Sequence, residues 1–111
     1  MSSRNPDWSA AEKKIARTAY DTAVAAALAR IMAELKRRAE VAKEPSDMWA
    51  IEDYLRDERR DIDEMFTYSY SKLPDVFAYA VRMGYIDESH LAGLAEDKLY
   101  MVRLVLSPSR G

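Results

Sequence analysis

Between Pro6 and Pro45 the chain contains neither proline nor glycine, and this uninterrupted run constrains the fold more than any other feature. Ser9-Ala10-Ala11-Glu12 reads as a capping box, with the Ser9 hydroxyl accepting an early amide while Glu12 reaches back to the cap. Trp8, just outside the cap, is placed to staple against the stem of Lys13 or the first apolar residues. The segment "AYDTAVAAALARIMAELKRRAEVAK" is made of strong helix formers. The run predicts one helix of about 34 residues, about 50 Å long at 1.5 Å per residue.

A helix of that length is out of scale with the chain that carries it. A single domain of 111 residues packs to a radius of gyration of about 13 Å, so much of the helix must overhang. Tyr20, Val24, Leu28, Ile31, Leu35, Ala39 and Ala42 recur at spacings of three and four, a narrow coiled-coil-like stripe. On the overhang this stripe would face water, and a second copy of the chain is the economical cover. A homodimer with Leu28, Ile31 and Leu35 in its seam is therefore expected.

A second helix is predicted from Ser46, read as an N-cap after Pro45, to about Phe66, with Asp47 in the first turn where the macrodipole favours an anion. Met48, Ile51, Leu55, Ile62, Met65 and Phe66 form its apolar stripe; Met48 and Leu55 extend the expected seam. The second helix is too short to cover the first alone. Pro74 opens a third helix and Gly84 closes it. A short turn capped by Asp87 and a last helix from about Ala95 to Leu106 follow. No strand is predicted. The expected architecture is all-α: a tail over residues 1–8, a long-helix dimerisation segment over 9–66, a helical head over 67–107 and a tail over 108–111.

Charge and composition remove whole classes of function. With 17 basic and 19 acidic residues interspersed, the chain lacks the clustered positive excess that phosphate neutralisation needs. A helix-turn-helix reading of "LPDVFAYAVRMGYIDESHLAGL" would aim Asp87 and Glu88 at phosphates, so no nucleic-acid partner is expected. There is no cysteine, which excludes thiolate chemistry and disulfides. No apolar run reaches the ~20 residues of a bilayer span and no secretory h-region precedes the helix; the protein reads as cytoplasmic, with no integral membrane contact. His90 lies within reach of Asp87 but has no further ligands at metal spacing, and reads as a surface or capping residue. Glu58, Asp61, Asp63 and Glu64 alternate with arginines, the pattern of a solvated helix face. No catalytic group, metal site or cofactor is expected, and the chain is not read as an enzyme.

One face of the second helix remains. Trp49, Glu52, Asp53, Arg56 and Arg60 fall at i, i+3, i+4, i+7 and i+11 and share a side, while Glu52, Arg56, Arg59 and Asp63 form an overlapping ladder of alternating sign. Trp49 lies at the border between this face and the apolar stripe. Tryptophan beside arginines is the composition of protein-binding hot spots. Equally, the ladder is a set of i, i+4 pairs worth a few tenths of a kcal/mol each, with Trp49 half covering the seam. Composition alone leaves both readings open.

The segments "WSAAE" (8–12), "DMWAIEDYLRDERRDID" (47–63), "YSYSKLPDVFAYAVRMGYI" (68–86) and "LAGLAEDKL" (91–99) together resemble the fluorescence recovery protein family of cyanobacteria, in the same order and over most of the chain. The resemblance implies an all-helical antiparallel homodimer joined through its long helices, with a small helical head at each end. It implies a regulator without a cofactor that binds the photoactivated orange carotenoid protein, speeds its return to the resting form and ends phycobilisome quenching, at the cytoplasmic face of thylakoids. By motif, Trp49, Asp53 and Arg59 match positions of the family's partner-binding surface, and Met48 a leucine-type position in the dimer seam. Phe77 and Lys98, in the head, are looser candidates for a second contact area. Glu52 stands where the resemblance leads one to expect histidine. An adaptor of the same family acting on another protein partner is the alternative.

Overall fold

The computed structural model describes residues 7–107. Helix α1 runs from Ala10 to Val41, α2 from Pro45 to Met65, α3 from Leu73 to Met83 and α4 from Glu96 to Leu106, with a single 3-10 turn over Glu88–Leu91. No strand occurs among the described residues, so the all-α expectation holds. The capping box at Ser9 forms as read: Ser9 Oγ accepts the Glu12 amide at 3.1 Å and Glu12 Oε1 accepts the Ser9 amide at 2.9 Å. Gly84 closes α3 in the left-handed conformation at φ 80°, open to glycine without strain. The molecule measures 59 × 35 × 27 Å with a radius of gyration of 17.2 Å, well above that of a compact chain, because α1 overhangs the rest.

Two regions share that helix. In the first, α1 lays Ala16, Ala19 and Ala23, all essentially inaccessible, into a core shared with α3 and the 3-10 turn. Spacings of three and four put these alanines on one face, and methyl side chains let the facing elements approach closely. Phe77, Leu73, Leu91 and Val102 fill the space opposite. In the second region α1 and α2 form an antiparallel hairpin that leaves α2 without a single buried residue. We call the first region the head and the second the stalk. The head thus draws its core from both sides of the boundary expected at 66/67. The tails expected over residues 1–8 and 108–111 lie outside the described residues except for Asp7 and Trp8, and Trp8 is no tail residue. It is buried in the head core, its ring 5.2 Å from that of Tyr70.

A ring of aromatics joins the two regions. Tyr20 meets Phe66 and Tyr68 edge-on at 5.8 and 4.9 Å, and the Arg17 guanidinium lies 3.9 Å above the Tyr68 ring. Arg30 donates to the Tyr85 hydroxyl at 2.7 Å, tying the stalk side of α1 to the turn after α3.

Candidate functional site: the open face of the second helix

The start of α2 differs from the sequence reading, and the difference positions the site. The N-cap is Glu44, Pro45 occupies the first turn, and Asp47 serves the cap from inside the helix. Its Oδ2 accepts the Lys43 and Glu44 amides at 2.9 and 3.0 Å, and these donors hold the Asp47 carboxyl below its ordinary range. Proline at this point supplies a fixed φ and lacks only an amide that would be unpaired anyway. Met48 and Trp49 are thereby set on the first turn at the tip of the hairpin, both open to solvent, with Trp49 62% exposed.

Beyond Trp49 the charged residues gather around one arginine. Arg56 Nη1 reaches Glu52 at 3.2 Å and Nη2 reaches Asp53, so one guanidinium bridges two carboxylates. Arg60 pairs with Asp57 at 3.3 Å. The expected Glu52–Arg56–Arg59–Asp63 ladder forms only its first rung: Arg59 makes no ion pair within 4 Å among the described residues. All these side chains are exposed, so the pairs orient groups and contribute little stability. Arg59 instead borders an open groove whose floor is Leu28, Ile31, Leu55 and Ile62 and whose rim includes Glu58 and Asp63.

That groove is where the apolar stripes of the two stalk helices run out of cover. Ile31, Leu35, Ile51 and Leu55 are half-buried between α1 and α2, while Leu28 remains 51% exposed. Arg38 packs flat over the Tyr54 ring at 4.1 Å on the other side of the hairpin. Of the residues expected in a seam, Leu28, Ile31 and Leu55 line this one open groove, Leu35 is half-buried between the helices, and Met48 is exposed beside Trp49 at the hairpin tip.

Two other candidates do not belong to any surface. Phe77 is fully buried at the centre of the head, and Lys98 is 3% exposed. Lys98 Nζ pairs with Glu12 at 3.2 Å, donates to the Asp7 carbonyl and lies beneath the Trp8 ring. Glu12 Oε2 also accepts the Ala95 amide at 2.7 Å. These donors, the Ser9 and Ala95 amides foremost and Lys98 after them, bring the Glu12 carboxyl from 4.5 down to about 2. In this chain Phe77 and Lys98 pack inside the head, and neither side chain is open to a partner. The sequence concealed this because a lysine in the first turn of a helix is ordinarily at the surface.

His90 caps the 3-10 turn, its Nδ1 accepting the Asp87 amide at 3.1 Å. Among the described residues no group of His, Asp or Glu side chains has the arrangement of a metal site, and no helix is long and apolar enough to cross a membrane.

Comparison with known proteins agrees with this geometry. The chain is 29% identical over 91 residues to the fluorescence recovery protein of Synechocystis, across 82% of this chain and 84% of that protein. Its fold superposes on the structure of the Fremyella diplosiphon fluorescence recovery protein with a TM-score of 0.83 at 28% identity, covering 89% of this chain and 97% of that one. The Synechocystis sp. PCC 6803 structure gives 0.84 at 26% identity over the same shares. The family model described as photoprotection regulator fluorescence recovery protein matches residues 8–106, essentially all that the structure describes, and the chain belongs to that family of photoprotection regulators.

Proposed function

We propose that this chain is a non-enzymatic, homodimeric regulator that binds the photoactivated orange carotenoid protein and accelerates its return to the resting form, ending photoprotective quenching. The observation that carries the reading is the exposed Trp49 on the same helix as the Glu52–Asp53–Arg56 cluster and as Arg59, which borders the open apolar groove. The apolar stripe along Leu28, Ile31, Leu35 and Leu55 is the seam with a second copy. Trp49 supplies apolar anchoring, and Asp53 and Arg59 supply oriented charge. Binding one conformer better shifts a population; faster relaxation further requires that the regulator hold the transition state more tightly than the activated form. The test is dark recovery of photoconverted orange carotenoid protein with wild type, Trp49→Ala and Arg59→Leu. Wild type should accelerate recovery and both variants should lose most of that effect; equal acceleration by Arg59→Leu removes Arg59 from the site.

Glu52 favours a second reading, in which the same dimer and face serve another protein partner. Its carboxylate shares Arg56 with Asp53 and adds an anion at the centre of the face. Under this reading wild type leaves carotenoid-protein recovery unchanged.

A further inference from the structure

The head carries an apolar surface that the stalk does not use. On α4, Lys98 and Val102 point into the core, while Tyr100 is 62% and Leu104 59% exposed, and Met101 and Val105 beside them are also open. Single exposed apolar residues are ordinary, but four on the outer side of an 11-residue helix form a patch. Its ends are charged with opposite sign. Glu96 and Arg103 lie seven residues apart, hence on one row of the helix, with Tyr100 between them. Glu96 has no ion-pair partner among the described residues, and Arg103 makes only a 3.5 Å contact to Glu88.

We propose that α4 pairs with α4 of a second copy, antiparallel, about a two-fold axis near Tyr100. An acidic N-terminal end, an apolar middle and a basic C-terminal end are complementary to the same helix reversed: Glu96 of each copy approaches Arg103 of the other, Tyr100 meets its counterpart, and the helix dipoles oppose. Such a contact is isologous and closes on itself. It lies on the head, apart from the stalk groove, so it joins stalk dimers to one another and is independent of the client. Three helical turns offer well under the ~800 Å² per partner of a stable interface; the association is weak and appears only at high concentration.

Sedimentation velocity from micromolar to several hundred micromolar tests this. Wild type should show a concentration-dependent doubling of mass above the species present at low concentration. Leu104→Glu, which keeps its helical circular dichroism because the site is exposed, should lose the doubling. Glu96→Lys makes both ends basic and Arg103→Glu makes both acidic; each alone should lose it, and their equimolar mixture should regain it. Absence of doubling in wild type, its persistence in Leu104→Glu, or a mixture that fails to recover it overturns the proposal. So does a Leu104→Glu variant that keeps the wild-type mass distribution but no longer acts on carotenoid-protein recovery, because the face then belongs to the client.

Discussion

Glu12 in the head and Glu34 in the stalk are both brought from 4.5 down to about 2, by different means. Glu12 is buried, accepts the Ser9 and Ala95 amides, and faces Lys98 across elements more than 80 residues apart in sequence. Glu34 lies on the stalk and takes its donors, Arg37 at 2.6 Å and Arg38 at 2.7 Å, from its own helix. A charge fixed by tertiary structure reports whether that structure exists; a charge fixed by neighbours one turn away reports only that the helix does. The same contrast runs through the apolar residues. The head closes over Phe77 and the alanine face, while the stalk leaves every residue of α2 at least partly open.

Substitutions can break this contrast at either end. The largest effect is expected for Glu12→Ala, which strands Lys98 in the core with the Asp7 carbonyl and a 3.5 Å contact to Asp97. Breaking a buried pair in this way costs about 3–5 kcal/mol, to be read from urea unfolding. Lys98→Met should cost less, because Glu12 keeps its two amide donors; equal losses would show that the pair is not the clamp between α1 and α4. Next comes Gly93→Ala. Gly93 sits at φ 101°, and an added Cβ would stand 2.5 Å from Ile15 Cδ1. Left-handed strain of about 1–2 kcal/mol, softened or increased by how far Ile15 turns aside, should lower the midpoint of thermal unfolding without changing mass.

The stalk should respond in the opposite way. Leu28→Glu replaces an exposed side chain, so the stability of the isolated chain should move by no more than about 0.5 kcal/mol. If the stalk seam is a dimer contact, sedimentation should nevertheless show the mass falling to a single chain. A large loss of helix with no change in mass would reverse the assignment. Smallest is Glu34→Gln, a slight loss of helix stability that high salt should erase.

Acid separates the two carboxylates again. The folded value of Glu12 lies below its ordinary one, so its contribution is complete above about 4.5 and is lost as pH falls toward about 2. Glu12→Gln should flatten that limb of the stability curve in low and high salt alike. Glu34→Gln should leave it nearly unchanged in high salt.

What the sequence reveals follows the same division. The capping box at Ser9, the stop at Gly84 and the four helices are local events written in neighbouring residues, and they are legible. The α2 cap is missed by two positions because Asp47 acts backwards from within the helix, so Ser46 looked like the better cap. The buried face of α1 is missed for a different reason. Alanine signals helix propensity so strongly that the spacing of Ala16, Ala19, Ala23 and Ala27 is easily passed over for the bulkier stripe beside it. Trp8, Phe77 and Lys98 depend on contacts between distant segments, which periodicity does not carry. The resemblance that offered Phe77 and Lys98 as contact residues carries no information on their burial either. Of the site, the face itself is legible, whereas the unpaired state of Arg59 and the sharing of Arg56 require coordinates.

Because α1 passes from head to stalk without a break, it works as a gauge block. Its 32 residues fix a length of about 48 Å, and the Arg30–Tyr85 bond and the aromatic ring hold the head in one orientation upon it. The distance and angle between the α4 face and the tryptophan at the hairpin tip are therefore set by the number of residues in one helix. Two extra turns would carry the head about 10 Å outward, with its facing nearly preserved and every local contact intact. Any macromolecule that touches both ends of this chain is being sized against that rod.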